Sequence, residues 1–71
     1  MKYLVVFERG PKGWGAHVPD LPGCVAAAQT RDQARRLIRG ALPLHIEALQ
    51  QAGEQVPRPV SECEVVEVQR D

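Results

Sequence analysis

The stretch from Val18 to Cys24 (Val-Pro-Asp-Leu-Pro-Gly-Cys) constrains the fold more than any other part of this chain. Pro19 has no amide hydrogen for a β-ladder, so a strand that reaches Val18 must end there. Pro22-Gly23 fits the central positions of a type II turn, because proline fixes φ at the first and glycine accepts a positive φ at the second. Asp20 is expected to accept a hydrogen bond from a nearby backbone N–H. The stretch therefore predicts a rigid corner between two strands, with a partner surface as its second role.

Three strands are predicted around this corner. Residues 2–8 are rich in β-branched and aromatic side chains and are apolar on both faces, which indicates a central strand. A loop containing glycine and proline leads into a second strand at 14–18. Residues 24–29 are assigned to the third strand from their position after the corner. Their alanines have low β-propensity, so composition alone would not predict a strand there. Consecutive strands of this kind predict an antiparallel meander.

A single helix is predicted after the third strand. Thr30 followed by Gln33 matches a capping box, and Gly53 supplies the residue that ends the helix. Between them, apolar residues recur at helical spacing. Pro43 interrupts this pattern and predicts a bend at 40–43. His45 lies within the apolar stripe, where a core histidine is favoured over a ligand or base.

Residues 63–68 contain three valines interleaved with glutamates and are predicted to form a fourth strand. A right-handed β-α-β crossover would make this strand parallel to strand three and place it beside strand one. The prediction is an α+β fold, β-β-β-α-β, with sheet order 3-2-1-4 and one helix on one face. The helix leaves the other face of the sheet uncovered, and an apolar sheet face needs a packing partner, so a homodimer or higher oligomer is expected. Its candidate contact residues are Leu4, Val6, Leu44 and Ile46.

The composition bounds the function. Seventy-one residues make one small domain. Nine basic residues balance nine acidic ones, so the net charge gives the molecule no overall attraction to nucleic acid or membrane. The sequence begins with neither a signal peptide nor a membrane span, which predicts a cytoplasmic protein with reduced Cys24 and Cys63. Neither cysteine has zinc-motif spacing to the other, to His17 or to His45, so no metal or cofactor is expected.

With these residues placed, the chain resembles the HicB antitoxin family. The resemblance covers nearly the whole chain and rests on the Trp-Gly-Ala-His-Val strand, the Thr30-capped helix, the exit at 53–59 and the corner. The corner residues that match the family motif are Pro19, Asp20, Leu21, Pro22, Gly23 and Cys24. The resemblance implies a truncated RNase H-like domain that binds and neutralises HicA, a small toxin that cleaves messenger RNA.

The sequence departs from the family pattern at two places. Many members continue into a DNA-binding segment, whereas this sequence stops after the fourth predicted strand, so a single domain 1–71 without DNA binding is expected. The glycine that usually precedes the capping threonine is replaced within Ala26-Ala27-Ala28-Gln29.

Catalysis is not expected, because the strand centres lack the carboxylate cluster that metal-dependent RNase H chemistry requires. Three functional hypotheses follow. In the first, the protein binds a small basic toxin through carboxylates along an edge strand and blocks the toxin's RNA-binding surface. The alternative role of these carboxylates is to face solvent and keep the edge strand from aggregating. These candidate partner-facing residues are Glu62, Glu64 and Glu67. In the second, the chain is an orphan regulatory or structural oligomeric domain without a toxin. In the third, it is an RNA-binding or nuclease domain that holds phosphates along a row of helix arginines, although such a row is more often a solvated face. These arginines are Arg31, Arg35, Arg36 and Arg39.

Overall fold

The computed structural model describes residues 1–70 and shows an α+β fold, as predicted. The elements follow the order β1 (Val6–Gly10), β2 (Gly13–His17), β3 (Val25–Ala28) and α1 (Arg31–Gln51). The strands form one antiparallel sheet of order β1-β2-β3. Gly10 pairs with Gly13, so a two-residue turn at Pro11-Lys12 joins β1 to β2.

The predicted fourth strand at 63–68, and with it the sheet order 3-2-1-4, is wrong for the single chain. In residues 1–70 no strand follows β3, and residues 62–70 are exposed throughout. The three valines indicate β-propensity, but they do not determine which strand lies beside them. The radius of gyration is 14.3 Å, against about 11 Å for a compact domain of this length. Part of the chain therefore lies outside the compact body.

Strand β1 begins at Val6 rather than at Lys2, because its partner leaves the ladder beyond His17. The Val18 N–H donates to the Cys24 carbonyl at 3.1 Å, and Pro19 has no N–H to give. Residues 2–5 consequently have no ladder neighbour on the β2 side.

The core lies between the sheet and α1, which packs mainly over β2 and β3. Leu21 and Ile38 are its largest fully buried side chains. Tyr3, Val5 and Phe7 pack against it from the β1 side. The other buried residues are Ala16, Val18, Cys24 and Ala34.

Both predicted ends of the helix are confirmed. The Thr30 hydroxyl accepts from the Gln33 N–H at 3.1 Å. At the other end Gly53 has φ +74°, and the N–H groups of Gly53 and Glu54 donate to the carbonyls of Gln50 and Leu49. These bonds form a Schellman motif, which satisfies carbonyls that the last turn leaves free. The helix continues through Pro43, which is exposed.

No helix in residues 1–70 combines the length and the apolar character that crossing a membrane requires.

Candidate partner-binding surfaces

The corner is held by its own backbone. The Leu21 carbonyl accepts from the Cys24 N–H at 3.0 Å, and Gly23 has φ +87°. With Pro22 at the first central position, this is the predicted type II turn. The Val18 carbonyl accepts from the Leu21 N–H at 3.0 Å, so a second turn precedes the first. Because Leu21 and Cys24 are buried, much of this motif builds the core.

Asp20 does not make the local hydrogen bond that was expected of it. Its carboxylate accepts from the N–H groups of Val60 and Ser61 at 3.0 and 2.9 Å, and from the Ser61 hydroxyl at 2.7 Å. These bonds, led by those from Ser61, lower the pKa of the Asp20 carboxyl below its ordinary value. The corner therefore holds a distant part of the chain.

Tyr3 makes a second contact to the same part of the chain. Its hydroxyl donates to the Pro57 carbonyl at 2.6 Å. Tyr3 precedes β1 and Asp20 follows β2, so both residues lie beyond the same end of the β1–β2 ladder. The two side chains thus hold residues 57–61 at one end of the strand pair, and we call this arrangement the anchor.

Sequence reasoning missed the anchor because its contacts join residues far apart in the chain. The separation is 54 residues for the Tyr3 contact and 40 and 41 residues for the Asp20 contacts. The only signal for it was the proline-rich stretch at 57–59. Such a stretch cannot pair within a helix or a central strand, so its polar backbone groups need partners elsewhere.

The candidate partner-facing glutamates lie together beyond the anchor. Glu62, Glu64 and Glu67 are exposed, and they share residues 62–70 with exposed valines. Val65 is 99% exposed, Val66 67% and Val68 75%. This segment combines negative charge with apolar side chains that the chain itself does not cover.

The four candidate oligomer contacts lie in different environments. Leu44 is exposed, and Leu4 and Val6 are half-buried. Ile46 packs against the core of its own chain. The sheet face that carries Val6 also carries its β2 partner His17, whose Nδ1 lies 3.8 Å from Glu8 Oε1.

His45 lies beside the corner. It is half-buried, and a Cβ placed on Gly23 would lie 3.6 Å from its Cε1 atom. The imidazole therefore lies close to the Gly23 backbone, a position that fits the packing role favoured for the histidine.

Two of the four helix arginines already have partners within the chain. The Arg31 guanidinium lies 4.3 Å from the centre of the Phe7 ring, and Arg36 pairs with Asp32 one helical turn away. Arginines engaged in this way are less available to phosphates, which weakens the hypothesis of an RNA-binding track.

The cysteines and other metal-binding side chains remain apart. Cys24 is buried and Cys63 is exposed, and both are free. Burial raises the pKa of the Cys24 thiol. Within residues 1–70, no three side chains among the histidines, cysteines and acids are close enough together to hold a metal ion.

Comparison with known proteins identifies the family. The family described as HicB-like antitoxin of bacterial toxin-antitoxin systems matches residues 3–71. The UPF0150 protein Ta0767 of Thermoplasma acidophilum is 35% identical over 63 residues, which are 87% of this chain and 91% of that protein. An uncharacterized 14.9 kDa protein from the rep-hol intergenic region of Haemophilus phage HP1 is 33% identical over 58 residues. Those residues are 82% of this chain but only 44% of the phage protein. The resemblance drawn from the corner motif is thus confirmed, and the chain belongs to the HicB-like antitoxin family.

Proposed function

We propose that this protein is an antitoxin that binds and neutralises a small HicA-type toxin, a ribonuclease acting on messenger RNA. The observation that carries the proposal is the family match over residues 3–71. In this proposal the protein works in the cytoplasm as a homo-oligomer, by binding rather than by catalysis. Its three strands and helix fit the first part of a truncated RNase H-like domain.

The charge distribution gives this function a physical basis. The chain as a whole is neutral, yet residues 62–70 carry three carboxylates against one guanidinium. A toxin that cleaves RNA needs a basic surface for phosphates. An exposed acidic segment can compete for that surface and speed the encounter, because opposite potentials attract. The protein would then block the RNA site without entering a catalytic reaction.

The proposal is tested by messenger RNA cleavage with a purified HicA-type toxin. Equimolar protein is expected to suppress cleavage. Replacing Glu62, Glu64 and Glu67 together by Gln should raise the concentration needed for half-inhibition about tenfold or more, if each exposed ion pair contributes the usual fraction of a kcal/mol. The matched control replaces Glu47 and Glu54, which are also exposed, by Gln and should leave inhibition unchanged.

Two results would contradict the proposal in different ways. Uninhibited cleavage at a large molar excess of the folded protein would reject the antitoxin function toward that class of toxin. Full inhibition by the triple variant would retain the antitoxin function and exclude the acidic segment from toxin binding.

A further inference from the structure

We propose that residues 62–70 of one copy pair as a strand with the open edge of β1 in a second copy, and that two copies exchange these segments reciprocally. The open edge is the side of β1, together with residues 2–5 before it, that does not face β2. Within each chain the order remains β1-β2-β3, and the added strand comes from the other molecule.

The donor segment has the composition and the length of a strand. Val65, Val66 and Val68 are all at least two-thirds exposed, at 99%, 67% and 75%. Valine has high β-propensity, and a row of uncovered valines favours association. Nine residues in strand conformation span about 30 Å, enough to cover β1 and the residues before it.

The acceptor edge is apolar where β1 begins and in the residues that precede it. β1 has one neighbour, β2, among the described residues. Residues 3–7 read Tyr-Leu-Val-Val-Phe, and all five are half-buried. Helix α1 packs over β2 and β3 more than over β1, so it does not cover the open edge of β1. An apolar edge with unpaired N–H and carbonyl groups is a template for strand addition.

The anchor determines where the donor segment leaves its own body. Asp20 holds Val60 and Ser61 through three hydrogen bonds, and Tyr3 holds Pro57. Every residue from 62 to 70 is exposed beyond this point. The segment thus starts from a fixed position and contributes nothing to the core of its own chain, so a second molecule can take it without disturbing that core.

The charges favour this pairing over the alternative of two segments pairing with each other. Residues 62–70 have a net charge of −2, whereas residues 2–12 have a net charge of +2. Two acidic segments side by side would repel, while a segment beside β1 brings opposite charges together.

A second copy is the occupant that satisfies both features at once. The sheet has two open edges, on β1 and on β3. β3 (Val25–Ala28) carries no charged side chain, so only the basic β1 edge attracts the acidic segment, and each chain carries one such segment and one such edge. A two-fold arrangement therefore forms two identical pairings and leaves neither feature uncovered. The pairing needs no toxin, so its failure and the failure of the antitoxin proposal are separate results.

The first test measures the mass of the full chain in solution by light scattering and sedimentation, without toxin. Wild type should be dimeric at micromolar concentration. Successive N–H groups of a strand point to opposite edges, so replacing Val65 and Val66 together by Pro removes a ladder donor in either register. This variant should raise the dimer dissociation constant at least a hundredfold. The control replaces both valines by Thr, which keeps the donors and the β-propensity, and should remain dimeric.

A monomeric wild type, or a proline variant that dimerises as tightly as wild type, would overturn the proposal. The second of these results would direct attention to the sheet face around His17 as the contact between copies.

The second test locates the contact. Copies with a spin label on the exposed Cys63 are mixed with isotope-labelled copies that carry Cys63→Ser, so any broadening arises between molecules. The amide signals of residues 3–7 should broaden, and those of α1 should not. Broadening confined to residues 62–70 would show that the segments pair with each other, and would reject the exchange with β1.

Discussion

Asp20 is the residue whose side chain connects the corner to the rest of the chain. Its bonds to Val60 and Ser61 require the ionised carboxylate as acceptor, and they lower its pKa. A lowered pKa in the folded state means that the contribution to stability is complete above the unfolded pKa, about 3.9. The contribution is lost as the pH falls through the folded value. Acid should therefore release residues 60–61.

We expect Asp20→Asn to lower the free energy of unfolding at neutral pH and to have less effect in acid. Urea unfolding of wild type and variant between pH 7 and pH 2.5 measures this difference. Ser61→Ala is the control, because it removes the hydroxyl donor but keeps both backbone donors, and it should cost less. A difference between wild type and Asp20→Asn that does not shrink below the ordinary aspartate pKa would contradict this account.

The helix offers the same substitution with opposite expected signs. Gly40 lies within α1, and a Cβ there would meet no atom within 4 Å. Gly40→Ala should stabilise the protein by about 1 kcal/mol, because alanine loses less backbone entropy in a helix. Gly53 has φ +74° in the Schellman motif. Gly53→Ala should destabilise by about 1–2 kcal/mol, because a Cβ is strained in the left-handed region.

Thermal unfolding monitored at 222 nm compares the two variants with wild type. The melting temperature should rise for Gly40→Ala and fall for Gly53→Ala. Equal shifts of the same sign would mean that the local conformation of these two glycines does not determine the effect.

Elements fixed by neighbouring residues were predictable from the sequence, and elements fixed by distant partners were not. The type II turn at Pro22-Gly23 and both ends of α1 depend on residues within a few positions, so turn and capping rules identified them. The anchor bonds of Asp20 and Tyr3 depend on residues at 57–61, where the proline-rich stretch indicates a need for partners but does not identify them. The start of β1 depends likewise on where its partner strand leaves the ladder.

At the scale of the whole molecule, the order of the first four elements and the family followed from the sequence, but the location of residues 62–70 did not. Valines interleaved with glutamates predicted a fourth strand beside β1, and residues 1–70 of the single chain form none there. Periodicity reports the environment of a strand, however, and not the identity of its neighbour. A segment that would have completed the sheet of its own chain is instead exposed.

The body formed by residues 1–61 should therefore fold without the exposed segment. All buried residues lie between Ala16 and Ile38, and the anchor uses nothing beyond Ser61. A chain ending at Ser61 should show the near-ultraviolet circular dichroism of wild type. A chain ending at Val56 lacks the anchor and should be less stable.

The dependence of unfolding on protein concentration distinguishes the stability of residues 1–61 alone from the stability added by association of two copies. If copies exchange residues 62–70, the urea midpoint of the full chain should rise with protein concentration, because association stabilises the folded state by mass action. The midpoint of the chain ending at Ser61 should not change, and the two midpoints should converge on dilution. A midpoint for the shortened chain that stays well below that of the full chain at the highest dilution would mean that the segment stabilises its own body.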